Sequence, residues 1–205
     1  MFQAFRTTFQ DFPVITLRDI CIAFPNFDSK NLLRWQQKKH IIKLRNGYYQ
    51  LADRNTSHHL FLVANQIYMP SYISLETALS FHGIIPEAVY TIQSVTTLKT
   101  MSFTNLLGNF QYRSIQASLY FGYQLLQNDA STAFRMASPE KAILDFLYFR
   151  HDIQDQLQFA ALRWSSEQLK LLNFRLLMEY ARWYHSPTLI KKTSWIKTCI
   201  DAQYS

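Results

Sequence analysis

Residues Asp28–Leu51, DSKNLLRWQQKKHIIKLRNGYYQL, decide the reading of the chain. Asp28 stands where a helix N-cap belongs, because a short side-chain acceptor satisfies the free N–H groups of a first turn. The spacing predicts a helix from there to about Lys39, with Leu32, Leu33 and Trp35 as apolar anchors. Lys30, Arg34, Gln37 and Lys38 fall largely on the opposite side. Ile41, Ile42 and Leu44 then read as a strand, and Asn46-Gly47 is the strongest short-range hairpin signal, with Tyr48, Tyr49 and Leu51 returning. A capped basic helix followed by a basic hairpin is the layout of a winged helix-turn-helix. The bland reading of the same residues is a solvated face on an ordinary helix–hairpin core.

Working outward, Phe2, Phe5 and Phe9 share one face of a helix over residues 2–11, which Pro13 closes. Thr16 is an N-cap candidate, with Asp19 placed for the positive end of a helix Leu17–Phe24. Two helices of about eight and twelve residues joined by a tight turn match the helix-turn-helix unit. Residues 1–52 hold eight Lys and Arg against three Asp and Glu, a net +5 of the chain's +7. Basic charge gathered in one small region favours a polyanion, because each phosphate contact releases counterions. The charge alone serves RNA as well as DNA.

If the helix enters the major groove by its N-terminal half, Ser29, Lys30, Asn31 and Arg34 reach bases, Arg34 being suited to a bidentate guanine contact. Lys38, Lys43, Arg45 and Asn46 would then hold phosphates or reach the minor groove from the wing.

Composition bounds the rest. The 205 residues allow two small domains, and 48% hydrophobic content with few Gly and Pro excludes a disordered chain. No apolar run reaches the roughly 18 residues of a membrane span, and MFQAFRTTFQDF lacks the apolar block of a secretory signal. Cys21 and Cys199 lie far apart without metal-ligand spacing, which fits free thiols in a reducing cytoplasm. The expected architecture is α+β: a winged helix over 1–52, then a mixed α/β domain over 53–205 with a helical C-terminal part. Residues 53–57 read as a linker, followed by a helix over 58–68 and a helix Leu75–His82 capped by Ser74 and closed by Gly83. Strands are expected over 89–95, 110–115, 119–123 and 133–136. Ser138-Pro139-Glu140 is a strong helix start, and from His151 the pattern is helical: 154–162, 166–171, 174–184 and 188–200.

Three segments together resemble the AbiEi-like antitoxins of abortive-infection, type IV toxin–antitoxin systems. They are Ile41–Tyr49 (IIKLRNGYY), Pro70–Leu79 (PSYISLETAL) with His82–Pro86 (HGIIP), and Ala137–Asp145 (ASPEKAILD). The resemblance covers about residues 10–150 and departs at Lys39-His40, where that family usually has a glycine between recognition helix and wing. It implies a two-part protein whose winged helix binds inverted repeats in its own promoter, as double-stranded DNA, and represses its operon. The second domain would counteract a cognate nucleotidyltransferase-like toxin, without need of a stable complex.

Two other classes stay open: an interaction module that neutralises a partner without binding DNA, or a solitary winged-helix regulator. An enzyme is the weakest reading, and no catalytic residue, metal or cofactor is expected. His58-His59 are neighbours pointing about 100° apart on a helix, which does not favour chelation. His82 reads as a helix-end residue, Glu140 as a partner of a helix N-terminus, and Lys141–Asp145 as an i,i+4 ion pair. The aromatics Phe103, Phe110, Tyr112, Tyr120, Phe121 and Tyr123 read as sheet core before partner surface.

Overall fold

The computed structural model describes residues 1–53, 59–127 and 132–201; over them the chain is mixed α+β, with ten helices and two sheets. The first segment runs α1 (Phe2–Phe9), β1 (Ile15–Thr16), α2 (Leu17–Ala23), α3 (Lys30–Gln37), β2 (Ile41–Arg45) and β3 (Tyr48–Leu51). β1 is too short for any periodicity to reveal, yet it pairs antiparallel with β3 and completes a three-stranded sheet in the order β1-β3-β2. Phe5, Phe9, Ile20, Leu32, Trp35 and Ile41 close a core beneath it, with the Phe5 and Trp35 rings 4.8 Å apart. Each buried Phe contributes about 1.5–3 kcal/mol, so this small unit rests on its aromatics.

The second segment begins with α4 (His59–Ile67), β4 (Ser71–Ile73), α5 (Leu75–Phe81), β5 (Thr91–Thr96), β6 (Met101–Asn105) and β7 (Gly108–Ser114). It continues through β8 (Tyr123–Gln127), β9 (Ala133–Ala137) and α6 (Pro139–Phe149) to α7 (Gln156–Ala160), α8 (Ser166–Lys170), α9 (Phe174–Trp183) and α10 (Pro187–Asp201). The six strands form one mixed sheet, β6-β7-β5-β4-β9-β8. Tyr112 on β7 donates to Ala64 O of α4, and Tyr72 on β4 donates to Asp145 of α6, so helices cover the sheet.

Three expectations need correction. The strand expected over 119–123 begins only at Tyr123: Ala117–Leu119 is a 3-10 turn and Gly122 takes φ +70°. A Cβ at Gly122 would lie 3.0–3.1 Å from Tyr180 and Lys141, so the backbone presses onto α6 and α9 before β8 begins. Ser74 precedes α5 but makes no cap bond; its hydroxyl donates to Asp145, and Gln93 Oε1 accepts from Glu76 N instead. Leu33 is 61% exposed and anchors nothing, because Leu32 and Trp35 already fill the inward face of α3. Of the expected linker, residues 54–57 lie outside the described residues, as do His58 and the side chains of His59 and Cys199. The aromatic stretch behaves as core: Phe110 and Tyr112 are buried, and Phe103, Tyr120, Phe121 and Tyr123 pack against them or their neighbours.

The two segments touch. Val14 and Leu44 of the first belong to the core of the second, and Asn105 Nδ2 donates to Leu44 O at 3.0 Å.

Candidate nucleic-acid interface

Helix α2 is set rigidly at its start. Thr16 Oγ1 accepts from Asp19 N at 3.1 Å while Asp19 Oδ2 accepts from Thr16 N at 2.8 Å, a reciprocal capping box. Leu17 N then donates to Gly47 O at 2.9 Å, which ties that helix start to the hairpin turn. Gly47 sits at φ +79°, and the β2–β3 register slips between Lys43 and Arg45, so the hairpin turns through a bulge.

At the start of α3, Asp28 Oδ1 accepts from Lys30 N at 2.9 Å, which gives Asp28 the capping role its position implies. Its far end carries a feature that decides the approach to β2. Lys39 N donates to Gln36 O and His40 N to Trp35 O, both at 2.9 Å, the bond pair of a Schellman motif. Lys39 itself lies at φ +56°, the left-handed position that favours glycine. A lysine therefore performs a turn that ordinarily favours glycine.

The exposed side of α3 is a stripe of Lys30, Leu33, Arg34 and Gln37, with Lys38 at its end. Ser29, Lys30, Arg34, Lys38, Lys43 and Asn46 are all exposed, as a surface contact requires. Asn31 is different. It is 8% exposed, its Nδ2 donates to Asp28 O at 2.9 Å, and its Oδ1 accepts from Arg34 Nη2 at 2.5 Å. Its amide, expected to reach a base, is engaged within the helix start. The Arg45 guanidinium stacks 4.0 Å over Tyr48 and lies 5.7 and 5.5 Å from the rings of Tyr68 and Phe103 in the second segment. Arg18, exposed in the first turn of α2, and Gln37 were not singled out as contacts. The Thr16 cap already marked where Arg18 would lie.

The second cluster of charged chemistry is closed to solvent. Lys141 and Asp145 are fully buried, 2.6 Å apart, and Asp145 also accepts from Tyr72, Ser74 and Tyr184. Burial pushes the Lys141 ammonium down, opposed by Asp145, and pushes the Tyr72 and Tyr184 hydroxyls well up. Glu140 Oε1 accepts from Asn173 N at 3.0 Å and fixes the start of α9. These groups bind helices to the sheet. His82 Nε2 lies 2.8 Å from Ala137 O, and burial lowers its pKa.

Among the described residues no group of His, Cys, Asp and Glu is placed to hold a metal ion, and no helix is long and apolar enough to cross a membrane. Cys21 is an exposed free thiol. No protein-family model matches the chain, and no curated protein matches it.

Proposed function

We propose that residues 1–52 form a winged helix-turn-helix that reads double-stranded DNA, and that the chain is a transcriptional regulator. The observation that carries this reading is the exposed stripe Lys30, Leu33, Arg34 and Gln37 on α3, beside a hairpin that presents Lys43. The order of helices and strands, with β1 joining the hairpin as its third strand, supports the same reading. α2 crosses the backbone with Arg18 near a phosphate, and α3 lies in the major groove. Arg34, held by Asn31, meets guanine N7 and O6, and Leu33 meets a thymine methyl.

The three motifs that resemble AbiEi-like antitoxins extend the proposal to an autorepressor of a type IV toxin–antitoxin operon. In that role the second segment counteracts a nucleotidyltransferase-like toxin. The test is binding of the full chain to a duplex from its own upstream region and to a scrambled duplex, measured by fluorescence anisotropy across a salt series. Tighter binding to the first, weakening as salt rises, upholds the reading; no duplex binding, or equal affinity for both, overturns it.

A further inference from the structure

Arg45 stands apart from the other cations of the first segment. β2 is an outer strand of the small sheet and β6 an outer strand of the large one, and the Asn105–Leu44 hydrogen bond draws them together. Between them lies a groove of about 420 Å³, lined by Gln36, Lys43, Leu44, Arg45, Thr104 and Asn105, with no acidic residue in its wall. The Arg45 guanidinium is wedged among three rings, 4.0 Å over Tyr48 and 5.5–5.7 Å from Phe103 and Tyr68. Its Nε is buried and has no hydrogen-bond partner, and among the described residues neither Arg45 nor Lys43 pairs with a carboxylate.

Two cations without a carboxylate partner among the described residues, in an acid-free groove, favour an anionic occupant. Stacking holds the guanidinium plane still where Arg45 lines the groove beside Lys43. The groove walls are fixed too: Thr104 Oγ1 donates to Asn109 Oδ1, and Asn105 Oδ1 accepts from Leu107 N. A planar fork beside an ammonium matches the oxygens of a phosphate group.

The geometry points to a phosphate-binding site built jointly by the hairpin of the first segment and the β6 edge of the second, with Arg45 and Lys43 as its cations. The phosphate comes either from the backbone of bound DNA, which rests on the reading above, or from a free phosphorylated small molecule, which does not. Thr104→Glu tests the site from its far wall, at an exposed residue that lies outside the reading helix. Thr104→Gln is the neutral control of equal length.

With a duplex, Thr104→Glu is expected to lose about tenfold in affinity while Thr104→Gln stays within about twofold. Lys43→Gln and Arg45→Gln should each lower the salt slope of binding by about one. With inorganic phosphate alone as probe, a rise in the wild-type melting temperature that Thr104→Glu abolishes assigns the small-molecule source. Loss with duplex and no response to free phosphate assigns the DNA backbone. Equal behaviour of Thr104→Glu and Thr104→Gln with both probes overturns the site, even where wild type binds DNA. Failure of wild type to bind any duplex overturns the DNA reading, and a phosphate response lost in Thr104→Glu would still uphold the groove.

Discussion

Replacing Lys39 by glycine should stabilise this protein. Lys39 closes α3 at φ +56°, with both bonds of the Schellman motif formed. Left-handed backbone costs a residue bearing a Cβ about 1–2 kcal/mol, from the clash of Cβ with the following carbonyl oxygen. Glycine removes that cost but adds freedom to the unfolded chain, worth about 0.4–1 kcal/mol in the opposite direction. The net is a gain of about 0.5–1 kcal/mol, or about 1–4 °C in melting temperature for a chain of this size. Urea unfolding followed by tryptophan fluorescence reads the change, with Trp35 of this core contributing alongside Trp164, Trp183 and Trp195. Lys39→Ala is the control, since it removes the charge and keeps the Cβ; it should stay within about 0.5 kcal/mol of wild type. Any loss of DNA affinity shared by the two variants is then charge, and the stability difference between them is backbone. If Lys39→Gly is no more stable than Lys39→Ala, the left-handed turn does not cost what its geometry implies.

Gly83 is the mirror case: it ends α5 at φ +69° with the same bond pair, and an added Cβ meets only Gln168 at 3.7 Å. Gly83→Ala should therefore destabilise by about 1 kcal/mol or more, read from the urea midpoint. Arg34→Ala should cost about 1–3 kcal/mol on the specific duplex and relax its selectivity, whereas Lys43→Ala should weaken all duplexes alike; the reverse pattern in a gel-shift series would overturn the groove assignment. Asp145→Asn leaves Lys141 buried without its counter-charge and should cost about 3–5 kcal/mol in unfolding free energy, so a loss below 1 kcal/mol would contradict the closed network. For His82, burial holds the folded pKa below the ordinary 6.5, so its contribution is present above that value and is lost as pH falls through the folded pKa. Wild type should lose more stability than His82→Gln between pH 7 and pH 5 in paired urea titrations.

Local signals were legible wherever a single residue type does one job. Ser138 caps α6 by accepting from Lys141 N, with Pro139 at the first helical position, as the residues alone imply. Asn46-Gly47 turns the hairpin, and Gly83 closes α5. The misses share a cause. β1 has two residues and β4 three, too short for any period to register, and they are strands only because β3, β5 and β9 lie beside them. Leu33 looked like an anchor because it is apolar, but the two helical positions that reach the core were already taken by Leu32 and Trp35. Ser74 looked like a cap because it precedes a helix, but a buried carboxylate from a helix seventy residues away claims its hydroxyl.

The basic helix, the hairpin and the concentration of charge in residues 1–52 are properties of the sequence by itself, because capping, turn chemistry and side-chain periodicity act within a few residues. How a cation is held for a ligand is decided only by tertiary structure. Lys43 and Arg45 stand two residues apart on one strand and read as equal contacts, yet one is exposed and the other is stacked among rings from two segments. Likewise Asn31 and Arg34 read as paired base contacts, until a buried amide is seen to hold an exposed guanidinium. Burial and stacking depend on residues distant in the chain, and no local pattern encodes where those residues will lie.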